Sequence, residues 1–79
     1  DGTMITYSKP HPEVFMKAAD LLNVNYKHCL VVEDAVAGCI AAKSASMKVA
    51  AIASAYGNNV ADFHLNCFKD LLIILNTIK

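Results

Sequence analysis

The sequence predicts an α/β fold in which parallel strands are joined by crossover helices. Two observations carry that reading. Two short, wholly apolar runs, 29–32 and 49–53, have the length and the β-branched content of strands buried on both faces. Between and around them lie longer segments whose apolar or small residues recur at helical spacing. Strand and helix in alternation build a parallel sheet with its helices as crossovers.

The first twelve residues read as an entry loop, marked by Gly2, Pro10 and Pro12. Pro12 suits the first turn of a helix, where its missing N–H costs nothing, and Glu13 favours the same end. Val14, Phe15, Ala18, Ala19, Leu21 and Leu22 then form an apolar stripe, and Asn23 and Asn25 are stop signals. The run Cys29-Leu30-Val31-Val32 is the first strand, and it ends abruptly at Glu33-Asp34. The next helix carries a face of small residues, Ala35, Gly38, Ala41, Ala42 and Ala45, suited to close packing on a sheet. Val49-Ala50-Ala51-Ile52-Ala53 is the second buried strand. Asn58-Asn59 marks a turn or a short helix, 62–65 a brief third strand, and Asn66 the N-cap of a last helix over 67–78. That helix is apolar nearly all round, as helices buried on several sides are.

Composition narrows the function. The chain has 79 residues, 56% hydrophobic and 18% charged, with a mean hydropathy of +0.38. A globule of this mass buries only about 62% of its surface, so it has little interior for so much apolar side chain. The excess points to apolar surface that a larger assembly covers. Seven basic residues balance seven acidic ones. All seven are Lys with no basic run, so nucleic acid is not an expected partner. No apolar stretch approaches the ~20 residues of a membrane helix, and no basic leader precedes an apolar core. Cys29, Cys39 and Cys67 have neither a disulfide-frame nor a zinc-site spacing and read as buried free thiols of a cytoplasmic protein.

Two places are set up for chemistry. In Ser8-Lys9-Pro10-His11-Pro12, two prolines stiffen the backbone around a Lys just ahead of a helix, an arrangement suited to anion contact. Glu33 and Asp34 follow a buried strand, and open α/β sheets bind ligands outside the carboxyl ends of their strands. Adjacent carboxylates suit a hard cation such as Mg2+, which takes one or two carboxylates plus substrate phosphate. The alternative is a helix-terminal acidic pair with Asp34 as N-cap.

Together, Ser-Lys-Pro-His-Pro-Glu-Val-Phe at 8–15, Cys-Leu-Val-Val-Glu-Asp-Ala-Val-Ala-Gly at 29–38 and Ala-Ala-Lys-x-Ala-x-Met at 41–47 resemble the haloacid-dehalogenase superfamily. The likeness is to its β-phosphoglucomutase-like branch, and most to sugar phosphatases of the 2-deoxyglucose-6-phosphate type. It implies that residues 1–79 are the C-terminal part of a Rossmann-like, three-layer core. It implies a Mg2+-dependent phosphatase of sugar phosphates that works through an aspartyl-phosphate intermediate. Lys9 would be the catalytic Lys that neutralises the phosphoryl group, and Asp34 and Glu33 would hold the metal, Asp34 the more directly. The family's D-x-D-x-T nucleophile motif, its second motif and its cap domain are not found. Asp1-Gly2-Thr3 spells the tail of such a motif but stands too close to Lys9 to be one. The chain by itself is therefore expected to be inactive, its partners being a phosphorylated sugar and the missing N-terminal core and cap of the same protein. Ser46 stands where many members end this helix with Gly, and Cys39 replaces a larger aliphatic residue. A sugar-phosphate mutase of the same branch shares the retained motifs, and a non-catalytic remnant would as well. A signalling receiver domain would need a phospho-accepting Asp at a later strand end, and neither Asp62 nor Asp70 stands there.

Overall fold

The computed structural model describes residues 11–78. The expected order holds: α1 (Glu13–Leu22), β1 (Leu30–Glu33), α2 (Val36–Ser44), β2 (Lys48–Ala51), β3 (Phe63–His64) and α3 (Phe68–Ile78). Two 3₁₀ turns not foreseen in the sequence, Tyr26–His28 and Ala53–Ala55, tighten the connections. The strands form one parallel sheet in the order β1-β2-β3. Glu33 aligns with Ala51, and Ala51 with His64, so these three residues form one row at the carboxyl edge.

Alternation along the strands sends successive side chains to opposite faces. Val31, Val49 and Ala51 point toward α1 and α2, where they meet Phe15, Cys39 and Ala42. Leu30, Ala50 and Phe63 point the other way, toward Leu65, Leu71 and Ile74. The small-residue face of α2 packs as anticipated: Gly38, Ala41, Ala42 and Ala45 are buried, while Ala35 is exposed. Cys39 is fully buried beside them.

Both helix ends after α1 and α2 are closed by a residue in the left-handed region. Asn23 has φ +57°, and the N–H of Val24 reaches the Ala19 carbonyl at 3.0 Å. Ser46 has φ +63°, and the N–H groups of Ser46 and Met47 reach the Lys43 and Ala42 carbonyls at 3.0 and 3.1 Å. This paired geometry is the Schellman closure that Gly normally serves. The end of α2 is also clamped to the sheet. Asp62 accepts two hydrogen bonds from Lys43 Nζ, at 3.0 and 2.9 Å, and a third from the Val49 N–H at 2.8 Å. Burial pushes the Asp62 carboxyl up, but the Val49 N–H, Lys43 and Lys48 outweigh it and hold the group below its ordinary value.

Several sequence expectations are corrected. β1 is not buried on both faces: Val32 is 44% exposed. The strand runs one residue further than expected, through Glu33. The second strand ends at Ala51 rather than Ala53, because Ala53 turns into the left-handed region at φ +48°. The apolar stripe of α1 is buried only at Ala19, and Leu21 and Leu22 face outward. On α3, by contrast, Leu72 and Ile73 are each 64% exposed, apolar surface of the kind the composition pointed to. α3 begins at Phe68 rather than Cys67; Asp70 reaches back to accept the Asn66 N–H at 2.8 Å, and the Asn66 amide turns to the Tyr56 hydroxyl. The three cysteines are free, but only Cys39 is buried, and Cys67 is exposed.

Candidate functional site

The carboxyl edge of β1 gathers the chain's acidic corner. Glu33 ends the strand on the α2 face and is only 6% exposed. A carboxylate tolerates such burial only with partners, and the backbone supplies them. Glu33 Oε1 accepts the N–H groups of both Asp34 and Ala35, each at 3.2 Å. These bonds fold the side chain over the bend that leads into α2. The Glu33 carbonyl accepts the Ile52 N–H at 2.9 Å, which ties the same residue to the end of β2.

Gly38 makes room for this arrangement. It lies in the first turns of α2, and a Cβ there would overlap Cγ, Cδ and Oε2 of Glu33. The carboxylate rests in a cradle that only glycine leaves open. The sequence reading placed Gly38 on the packing face, which is correct, but missed this second duty. The signal was present as a Gly five residues after a strand-ending Glu.

Asp34 is exposed, in the bend directly after Glu33. The N-cap of α2 is Ala35, whose side chain makes no cap hydrogen bond, so Asp34 as N-cap is corrected. Asp34 instead stands outside the strand end with its backbone held by Glu33, two residues ahead of a helix N-terminus that favours negative charge nearby.

Lys9 lies outside the described residues. The segment that follows it is anchored at the start of α1, where the Glu13 N–H donates to His11 Nδ1 at 3.2 Å. The Pro12 carbonyl there accepts the N–H groups of Phe15 and Met16, each at 3.1 Å.

Among the described residues no three potential metal ligands converge. Two carboxylates, one buried and pinned and one exposed, fit a cation that takes one or two protein carboxylates and completes its shell with water and substrate phosphate. They do not fit a closed structural site of four protein ligands. On the opposite sheet face an apolar groove of about 330 Å³ runs past Val32, Ile52, Leu65, Cys67 and Leu71. A larger hollow of about 410 Å³ lies beside Asp20, Asn23 and Tyr26, at the amino end of the sheet and away from Glu33.

A polar cluster lies on the same carboxyl edge, of which the sequence reading marked only Asn58, as a turn. His64 Nδ1 accepts the Gly57 N–H at 2.9 Å. Its ring meets Tyr56 edge-on at 5.5 Å between centroids. Asn58 organises the rest of that loop, its Oδ1 accepting the N–H groups of Val60 and Ala61 at 2.7 and 3.0 Å.

Residues 1–46 match a family model described as haloacid dehalogenase-like hydrolase. Hexitol phosphatase B of Escherichia coli (strain K12) is 35% identical over 72 residues, covering 85% of this chain and 32% of that protein. Beta-phosphoglucomutase of Bacillus subtilis (strain 168) is 35% identical over 75 residues, covering 95% of this chain and 33% of the enzyme. The bifunctional riboflavin kinase/FMN phosphatase of Arabidopsis thaliana is 42% identical over 50 residues, covering 63% of this chain and 13% of that protein. The chain thus spans about a third of the length of the first two relatives. No helix among the described residues is long and apolar enough to cross a membrane.

Proposed function

The chain belongs to the haloacid dehalogenase-like hydrolases, and from that membership we propose that it supplies the cation-holding corner of a Mg2+-dependent sugar-phosphate phosphatase. The observation that carries the proposal is the buried Glu33 carboxylate in the Gly38 cradle, with Asp34 exposed beside it at the carboxyl edge of the sheet. Packing alone gives no reason to keep a carboxylate in that place, because a buried apolar residue would stabilise the strand end without any need for partners.

In this reading Glu33 fixes the Asp34–Ala35 bend, and Asp34 presents its carboxylate to Mg2+ where substrate phosphate arrives. Mg2+, when bound, offsets the repulsion between the phosphate and an attacking carboxylate. Lys9 brings an ammonium to the phosphoryl oxygens and stabilises the charge they carry in the transition state. The nucleophilic Asp and the cap that selects the sugar come from parts of the protein outside these 79 residues, which form the C-terminal part of its core. An aspartyl-phosphate forms as the sugar oxygen leaves, and water then releases phosphate.

A mutase is the second reading, and its support is the equal identity to beta-phosphoglucomutase over 95% of this chain. The His11-Pro12 form of the Lys9 segment favours the phosphatase. The two part on product. The phosphatase, expressed with the coding sequence upstream of residue 1, releases inorganic phosphate from hexose and hexitol phosphates in a Mg2+-dependent manner. Lys9→Met and Asp34→Asn should each lower kcat by about 100-fold or more. The 79-residue chain alone should show negligible turnover. Phosphate release that persists in EDTA or in Asp34→Asn would overturn the assignment. Transfer of phosphate within the sugar, without release, would establish the mutase.

A further inference from the structure

The proposed phosphatase uses nothing on β3, yet the carboxyl end of that strand carries a titratable side chain tied to a loop backbone. We propose that His64 is a proton-operated latch on the 53–58 loop: the neutral imidazole holds Gly57, and protonation lets it go.

The geometry fixes the direction of the bond. A backbone N–H can only donate, so His64 Nδ1, 2.9 Å away, accepts with its lone pair. An imidazolium carries a proton on both nitrogens and has no acceptor left. Taking up a proton therefore turns an attractive contact into two N–H groups pointed at each other. The loop is held on either side of this point, by the buried Ala55 and by Asn58, whose amide donates to the Ala55 carbonyl at 2.6 Å, so the bond to His64 acts on Gly57 itself. Gly57 sits at φ +87° with open space on its side-chain side, and Tyr56 is 50% exposed.

The surroundings leave the ring accessible to this switch. Tyr56 meets it edge-on. From β2, the register neighbour is Ala51, without charge, and Lys48 lies at the far end of that strand. Asp62, two residues before His64, is turned to Lys43 and the Val49 N–H. From α3, Asp70 accepts the Asn66 N–H. The loop is also close to the acidic corner. Its root, Ile52, donates to the Glu33 carbonyl at 2.9 Å, and His64 stands in the same register row as Glu33, two strand spacings or roughly 10 Å across. The latch therefore governs the far end of a loop whose near end is fixed to Glu33.

Glycine-selective 15N labelling of the whole protein, expressed with the coding sequence upstream of residue 1, tests this at the amides of Gly38 and Gly57. Solvent exchange of Gly57, taken relative to an unstructured peptide at each pH, is followed from pH 8 to pH 5.5, where histidine ordinarily changes charge. Gly57 protection is expected to fall at least about ten-fold while Gly38, inside α2, stays protected. His64→Asn keeps an acceptor near the Nδ1 position but cannot take up the proton, and it should hold Gly57 at both pH values. His64→Ala should leave Gly57 unprotected at both. Flat Gly57 protection in the native chain would overturn the latch. So would the same fall in His64→Asn, or a fall in which Gly38 loses protection together with Gly57. If either variant does not fold, the native titration with its Gly38 reference decides alone.

Discussion

Replacing Gly38 with Ala separates a helix effect from a site effect. In an ordinary helix interior the change is stabilising by about 0.8–1 kcal/mol, because Ala loses less backbone entropy. Here the added Cβ overlaps the Glu33 side chain. The carboxylate must leave its cradle and give up the N–H groups of Asp34 and Ala35, both at 3.2 Å. Hydrogen bonds to a charged group contribute about 1.5–3 kcal/mol each, and bonds this long fall at the low end. Their loss costs about 3 kcal/mol, and the helix gain offsets about 1, so Gly38→Ala should destabilise by about 2 kcal/mol. In a Glu33→Ala background nothing remains to overlap, and the same change should stabilise by up to about 1 kcal/mol. The double-mutant cycle thus predicts a coupling of about 3 kcal/mol, which urea unfolding followed by far-ultraviolet circular dichroism resolves. An equal cost of Gly38→Ala in both backgrounds would refute the cradle.

Other expectations follow from the helix end and the clamp. Ser46→Gly relieves an L-residue at φ +63° on an exposed Schellman position and should raise stability by about 0.5–1 kcal/mol in thermal or urea unfolding. Asp62→Asn removes the Lys43 clamp, whose partners are 39% and 25% exposed, so the ion pair itself contributes no more than about 1 kcal/mol. The folded Asp62 carboxyl lies below its ordinary value of 3.8. Its stabilisation is therefore complete above that value and is lost as pH falls through the lower, folded one. The native chain should lose stability below about pH 4 more steeply than Asp62→Asn, and acid unfolding curves of the two would coincide if the clamp contributed nothing.

The sequence made the layout readable where one local rule decides it. Cys29-Leu30-Val31-Val32 and Val49-Ala50-Ala51 are apolar on both faces of a strand, and the small residues of α2 mark close packing, so order and parallel pairing followed. The strand end was harder because Glu33 looks like the first residue outside. It belongs to the ladder, paired with Ala51, and its side chain finds room because position 38, five residues on, is Gly. The local rule also offered Asp34 as the cap of α2, but the cap position falls one residue later, on Ala35, whose side chain makes no cap hydrogen bond. Periodicity also cannot say whether an apolar residue finds a partner, and so the stripe of α1 includes Leu21 and Leu22, which lie outside, while the exposed Leu72 and Ile73 of α3 match the excess of apolar side chain seen in the composition. The pairing of His64 with Gly57 joins a strand to a loop through a backbone N–H, which no side-chain pattern records. Lys9, the site residue most legible by resemblance, falls outside the described residues.

The central claim is that the carboxyl edge of β1 is a divalent-cation corner in which Asp34 meets the ion and Glu33 holds the bend. Mn2+, a paramagnetic stand-in for Mg2+, tests it directly by broadening the amide resonances nearest to where it binds. Substoichiometric Mn2+ should broaden Asp34 and Ala35 before any other described amide, excess Mg2+ should restore them, and Asp34→Asn should abolish the effect. Broadening centred elsewhere, or unchanged in Asp34→Asn, would contradict the account.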